Sequence, residues 1–118
     1  MHRSADFEAA VRRGARAGRT TLVVHCRTVP DRDGTHVGMV VARSVGGAVV
    51  RNKVRRRLRG VVVDAQTTLP DGVDVVLRAL PPAATASYAQ LAADFAGALP
   101  AAVARARGVA RPGSRARG

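Results

Sequence analysis

The nine residues Arg51–Arg59, RNKVRRRLR, hold six basic side chains and no acid. Guanidinium groups at this density suit a polyanion, because each is a planar fork that matches phosphate oxygens and can also stack on a base. Their spacing sharpens the point. At about 100° per residue, Arg51, Arg55 and Arg59 fall roughly 100°, 140° and 180° from Val50, and Asn52 and Arg56 follow near 200° and 240°. These five residues make one continuous polar face. Val50, Val54, Leu58, Val61 and Ala65 fall within about 80° of arc on the other side and read as a core-facing stripe. Lys53 and Arg57 flank the polar face, with Arg57 nearer the stripe. Like charges four residues apart repel by a few tenths of a kcal/mol, so an ordinary solvated face mixes signs. Arg51, Arg55 and Arg59 stack two such pairs without relief. Polyphosphate would supply it, and binding should then weaken steeply with salt. Asn52 adds a neutral donor and acceptor within the cationic face. A membrane-surface helix would need a broad, bulky apolar face. The narrow Val/Leu stripe does not offer one, and no membrane partner is expected.

Other residues with chemical potential are fewer. Cys26 is the single cysteine, which excludes an internal disulfide and a multi-cysteine zinc site. It fits a reducing, cytoplasmic setting without requiring one. In an alternating strand, His25–Cys26 reads as a packed cysteine beside a surface histidine. His2 and His36 stand in separate segments without metal-ligand spacing. Asp6 and Glu8 suit the positive end of a helix better than a metal. There is no carboxylate pair, Ser/His/Asp set or phosphate loop; Gly46–Gly47 lacks the Walker pattern. No catalytic or metal-binding side chain is therefore expected. A self-sufficient metal-dependent nuclease is set aside for want of an acidic cluster.

These side chains must be positioned by a small fold. The chain has 118 residues, with 20 Lys+Arg against 8 Asp+Glu and a net charge of +12. Such charge opposes compactness and is ordinarily compensated by a polyanionic partner. Lys53 is the only lysine. Apolar residues make up 47% but aromatics only 3%, so the core must be built from Val, Leu and Ala. No stretch approaches a membrane span, and the N-terminus lacks the apolar core of a signal peptide.

The elements read as follows. Ser4–Gly14 is a short amphipathic helix capped by Ser4, and Gly14–Gly18 is its exit loop. Thr20–Val29 and His36–Ala42 are strands joined across the turn Pro30–Gly34, and look like an antiparallel hairpin. Ala48–Gln66 is the basic helix. Pro70–Gly72 turns into the strand Val73–Leu80. Ser87–Leu99 is the last helix, with Ser87 and Gln90 spaced as a capping box and Tyr88, Leu91, Phe95 and Leu99 on its inner face. Pro100 should kink or interrupt it. Leu22, Val24, Val37, Met39, Val41, Val75 and Leu77 are core candidates by alternation. The fold class is α+β, a two-layer sandwich of order αββαβα in which helices cover a small sheet. Residues 1–107 form the domain, and 108–118 are a disordered basic tail.

The segment Val45–Arg59, VGGAVVRNKVRRRLR, resembles the signature of the bacterial ribonuclease P protein subunit. Arg51, Asn52, Arg55, Arg56 and Arg59 fill its five signature positions. Asp6–Phe7 ahead of a basic segment, Arg19 before the first strand, Val37–Arg43 leading to the signature, and Tyr88 with its helix are also similar to that family. The resemblance implies a fold with a left-handed β-α-β crossover through the basic helix, against the usual right-handed preference. It implies that Arg51, Asn52, Lys53, Arg55, Arg56 and Arg59 bind the catalytic RNA of ribonuclease P. It implies that Phe7, Val11, Arg12, Arg19, Val24 and Arg43 meet the single-stranded 5′ leader of precursor tRNA, in a cleft between the first helix and the sheet. The holoenzyme, an endoribonuclease, would remove the leader to give the mature 5′ end, with catalysis carried by the RNA and its Mg²⁺. Two departures stand out. Val11 and Thr20–Val24 lack aromatics usual in the family, and stacking on aromatics is worth roughly 1–3 kcal/mol per base. The family's basic extension before the first helix is reduced here to MHR. A ribosomal-type rRNA-binding protein is the alternative; the signature at Arg51–Arg59 argues against it.

Overall fold

The computed structural model describes residues 14–109. Apart from Gly14, the expected helix Ser4–Gly14, with Phe7, Val11 and Arg12, lies outside the described residues, as do residues 110–118 of the expected tail. Strand β1 is Ala15–Gly18, β2 Leu22–Thr28 and β3 Thr35–Val40. Helix α1 is Ala48–Asp64, β4 is Val73–Ala79 and α2 is Tyr88–Val109. Short 3₁₀ turns occupy Arg43–Val45, Gln66–Thr68 and Pro81–Ala84.

The four strands form one sheet in the order β1-β2-β4-β3. Two expectations are corrected here. Gly14–Gly18 is not simply an exit loop: Ala15–Gly18 pairs antiparallel with β2, Arg16 opposite His25 and Ala17 opposite Val24. β2 and β3 are not a hairpin either. β4 lies between them, antiparallel to β2 and parallel to β3. The physical reason is in β4 itself. Val73–Leu77 is buried at every position, so this strand belongs in the interior of the sheet with a hydrogen-bonding partner on both edges. The loop after β2 carries the chain across to the far side and leaves that slot open. It is tied to the turn before β4, with Val29 N–H donating to Gly72 O (2.7 Å) and Gly72 N–H donating to Gly34 O (2.8 Å). Gly72 takes the left-handed φ of 74° that this turn requires. β3, α1 and β4 thus make a parallel β-α-β crossover.

Both helices cover one face of the sheet. The core joins Leu22, Val24 and Cys26 of β2, Val73, Val75 and Leu77 of β4, Val54, Leu58 and Val61 of α1, and Leu91, Phe95 and Leu99 of α2. Val50 and Ala65, the ends of the predicted stripe, are partly buried against it, as are Val37 and Met39. α2 packs on β1 and β2 and lies beside α1. Its start is the expected capping box: Gln90 N–H donates to Ser87 Oγ (3.0 Å) and Ser87 N–H to Gln90 Oε1 (3.1 Å). Pro100 does not interrupt it. Pro100 itself is exposed, while Leu99, Ala102, Val103 and Ala106 are buried around it. Burial of the inner face therefore holds the helix through the one hydrogen bond the proline removes.

Tyr88 departs from the inner-face expectation. It is 39% exposed; its hydroxyl donates to Asp64 Oδ2, and its ring lies on Gly60, where a Cβ would stand 3.3 Å from Cε1. The glycine that weakens α1 in the sequence therefore seats an aromatic from α2.

Candidate nucleic-acid interface

α1 begins where two glycines let the chain turn sharply. Gly46 has φ 158°, and a Cβ there would come within 2.9 Å of Val50 Cβ. Gly47 is the N-cap, no side chain caps the helix, and its first turn holds no acid. The positive end of the helix dipole is thus left uncompensated at the start of the basic run. Asn52, Lys53, Arg56 and Arg59 are exposed, while Arg51 and Arg55 are half-buried. Arg55 Nη1 donates to Asn52 Oδ1 (3.2 Å), which orients both side chains along the face. Val49 is 82% exposed beside them and lines a shallow depression with Asn52, Arg55, Arg56 and Arg59. Among the described residues the ion pairs all converge on Asp74 of β4, and none involves a basic residue of α1. Arg57 serves the fold rather than the cationic face. Its Nη1 donates to Ala86 O (2.7 Å), tying α1 to the turn before α2.

Of the residues expected to meet a leader strand, Arg19, Val24 and Arg43 are described, and these three are not brought onto one surface. Arg19 is exposed in the β1–β2 turn, with its guanidinium against Gly97 of α2. Arg43 is exposed in the 3₁₀ turn before α1. Val24 is corrected: it is fully buried in the core. Alternation turns Leu22, Val24 and Cys26 toward the helices, so Val24 cannot be both a core residue and an RNA contact.

The opposite face of the sheet went unread in the sequence. Register places Arg16, His25 and Val76 in one row across β1, β2 and β4, with Val23 and Arg78 in the next. His25 is not a surface residue, as the strand pattern suggested, but only 2% exposed. β2 is an interior strand, so the imidazole sits between the neighbours from β1 and β4. Neither ring nitrogen has a hydrogen-bond partner. Burial, then the charges of Arg78 and Arg16, push its pKa below the usual 6.5, so the ring is neutral at pH 7. One row further, Asp74 accepts from Arg27 Nη2 (2.7 Å) and Arg32 Nη2 (2.5 Å). Burial raises its pKa, but the two arginine hydrogen bonds and charges outweigh this and hold it below 3.8. The signal for this face was the same period-2 alternation that identified the core. Cys26 is buried beneath the helices, and burial pushes its thiol up to about 11. That thiol is unreactive at neutral pH.

Fold and surface together define a small α+β protein with a cationic helix face suited to a polyanion. The family model described as Ribonuclease P matches residues 1–103. The ribonuclease P protein component of Streptomyces bikiniensis is 53% identical over 107 residues, covering 84% of this chain and 87% of its own. That of Acidothermus cellulolyticus is 51% identical over 96 residues, covering 80% of each. Among solved structures, a Staphylococcus aureus RNase P protein superposes with TM-score 0.75 at 24% identity, over 86% of this chain and 93% of that one. The RNase P protein of Thermotoga maritima gives 0.73 at 22%, over 82% and 91%. At those identities the agreement concerns the fold. The chain belongs to the ribonuclease P protein family.

Proposed function

We propose that this chain is the protein subunit of a cytoplasmic ribonuclease P ribonucleoprotein, and that α1 is its grip on the catalytic RNA. The observation that supports this is the α1 face itself. Arg51, Asn52, Arg55, Arg56 and Arg59 lie together with Lys53 beside them, and no carboxylate among the described residues pairs with them. In this proposal the complex removes the 5′ leader of precursor tRNA, and the RNA carries the chemistry. In this reading Mg²⁺ would be held by the RNA.

The leader would lie along the sheet face away from the helices, where Arg16 and Arg78 flank His25. Phe7, Val11 and Arg12, and Arg43 just ahead of the signature, remain candidates for its remaining contacts. Val24 is not one of them. Arg16 is exposed and Arg78 half-buried on this face, whereas Val23, His25 and Val76 are buried, so a single strand would be held there by its backbone phosphates. That agrees with the scarcity of aromatics in the sequence.

The test is reconstitution with the RNA subunit of a ribonuclease P at low Mg²⁺. Stimulation of precursor tRNA cleavage, lost at high salt, is the expected result. Absence of stimulation at any salt would favour an rRNA-binding protein instead. Robust cleavage by RNA-free protein would overturn the assignment of chemistry to the RNA.

A further inference from the structure

We propose that Arg19 and Arg105 form a second phosphate-binding surface, so that the RNA subunit crosses the whole outer side of the helix layer from α1 to the β1 edge. The inference rests on the reading of the chain as an RNA-bound subunit and assigns a contact outside the signature helix.

The two arginines lie at the rim of the helix layer opposite α1, because α2 packs over β1 and β2 and α1 lies on its other side. Arg19 leaves the turn between β1 and β2, which is fixed by its N–H donating to Leu22 O (2.8 Å). Its guanidinium lies face-on against α2 at Gly97. A Cβ at that position would stand 2.7 Å from Nη2, 2.9 Å from Cζ and 3.1 Å from Nε. Arg105 is eight residues further along α2, about 12 Å at 1.5 Å per residue. Its Nη1 donates to Arg16 O (2.7 Å). Both groups are exposed, and both are positioned by backbone rather than by a carboxylate.

The acid on this side of α2 forms no ion pair with either of them. Asp94, one turn before Gly97, is engaged by Thr21, whose N–H (3.0 Å) and hydroxyl (2.5 Å) both donate to Oδ2. Among the described residues no ion pair involves Arg19 or Arg105. An arginine held in place with its charge uncompensated loses little conformational entropy on meeting a phosphate. Between the two cationic rims, the exposed positions Ala93, Ala96, Pro100 and Ala104 are small, which lets an RNA backbone approach the helix closely. Arg19 thereby leaves the leader-binding set: it points along the helix layer, whereas the leader surface is on the far side of the sheet.

The experiment is binding of the full-length protein to the RNA subunit alone, across a four-fold rise in salt. Each phosphate contact contributes a slope of about 0.7–0.9. Arg19→Ala with Arg105→Gln, the latter keeping a donor for Arg16 O, should therefore reduce the salt-induced affinity loss by about three-fold per arginine. The doubly substituted Arg19→Lys, Arg105→Lys protein should restore the slope, which a purely structural role would not do. An unchanged slope in the neutral variant, with Arg51→Ala and Arg55→Ala still lowering theirs, overturns this proposal and leaves the functional reading intact. If neither pair alters the slope, the functional reading fails as well. A loss seen only with leader-bearing precursor tRNA, and not with the RNA subunit, would give the surface to the substrate and overturn the proposal.

Discussion

The outer face of α1 and the sheet face around His25 and Asp74 are both rich in basic residues, yet they handle charge in opposite ways. On α1 the basic side chains form no ion pair among the described residues, and the first turn of the helix holds no acid. On the sheet, Asp74 takes two arginines at once and the histidine between Arg16 and Arg78 is kept neutral. On α1 the repulsion is left for a ligand to relieve; around Asp74 two arginines are paired within the fold, while Arg16 and Arg78 form no ion pair among the described residues. A cationic residue count does not distinguish them. The difference is whether a carboxylate is within reach.

The comparison would break most visibly on α1. Arg55→Glu with Arg59→Glu should cut affinity for the RNA subunit by about a hundred-fold at low salt, since two phosphate contacts become repulsions. The melting temperature should hold or rise slightly, because the 51/55 repulsion becomes an attraction while 55/59 stays a like-charge pair. A large fall in melting temperature would mean that these arginines serve the fold instead.

Asp74→Asn should behave in the reverse way. It leaves Arg27 and Arg32 without their shared partner and should cost about 2 kcal/mol, less than a fully buried pair because both arginines reach solvent. Calorimetry would read this as a melting temperature lower by about 10 °C, with the salt slope of RNA binding unchanged. The folded pKa of Asp74 is depressed, so its contribution is present above its unfolded value of 3.8 and is lost as pH falls through the lower folded value. The Asn variant should lose that segment of the acid unfolding curve.

His25 sharpens the contrast at milder pH. Its folded pKa lies below 6.5, so the unfolded chain takes up the proton first as pH falls. Stability should be full above pH 6.5 and decline below it, toward the lowered folded value. His25→Gln should flatten that decline in urea titrations between about pH 7 and 5. A steeper decline would mean the ring is protonated in the fold and paired. The smallest effect concerns Cys26, which should resist alkylation at about pH 8 in the native protein and react promptly in denaturant.

Much of this was legible beforehand where the information is local. The helical phase of Arg51–Arg59 separates Val54, Leu58 and Val61 from the basic face, and the structure buries those three. The capping box at Ser87 and Gln90 is a three-residue relation and forms as spaced. Misreadings fell where the outcome depends on a distant partner. Adjacent strand signals on either side of Pro30–Gly34 look like a hairpin, but an all-buried β4 competes for the middle of the sheet and wins. Ala15–Gly18 is too short to show a period and becomes a strand only because β2 offers it an edge. Tyr88 has the phase of a core residue, yet the hydroxyl finds Asp64 and the ring finds Gly60, both on another helix.

By itself the sequence determined the cationic face of α1, its apolar underside and a partner class of polyanions, since charge and helical period are properties of neighbouring residues. Only the tertiary structure decided which basic residues stay unpaired. Asp64 stands on α1 itself, just beyond Arg59, yet its carboxylate accepts from Tyr88 of the next helix. Asp74 is 47 residues from Arg27 in the chain and pairs with it because β2 and β4 are adjacent in the sheet. Pairing energy depends on distance in space, and chain separation does not reveal it.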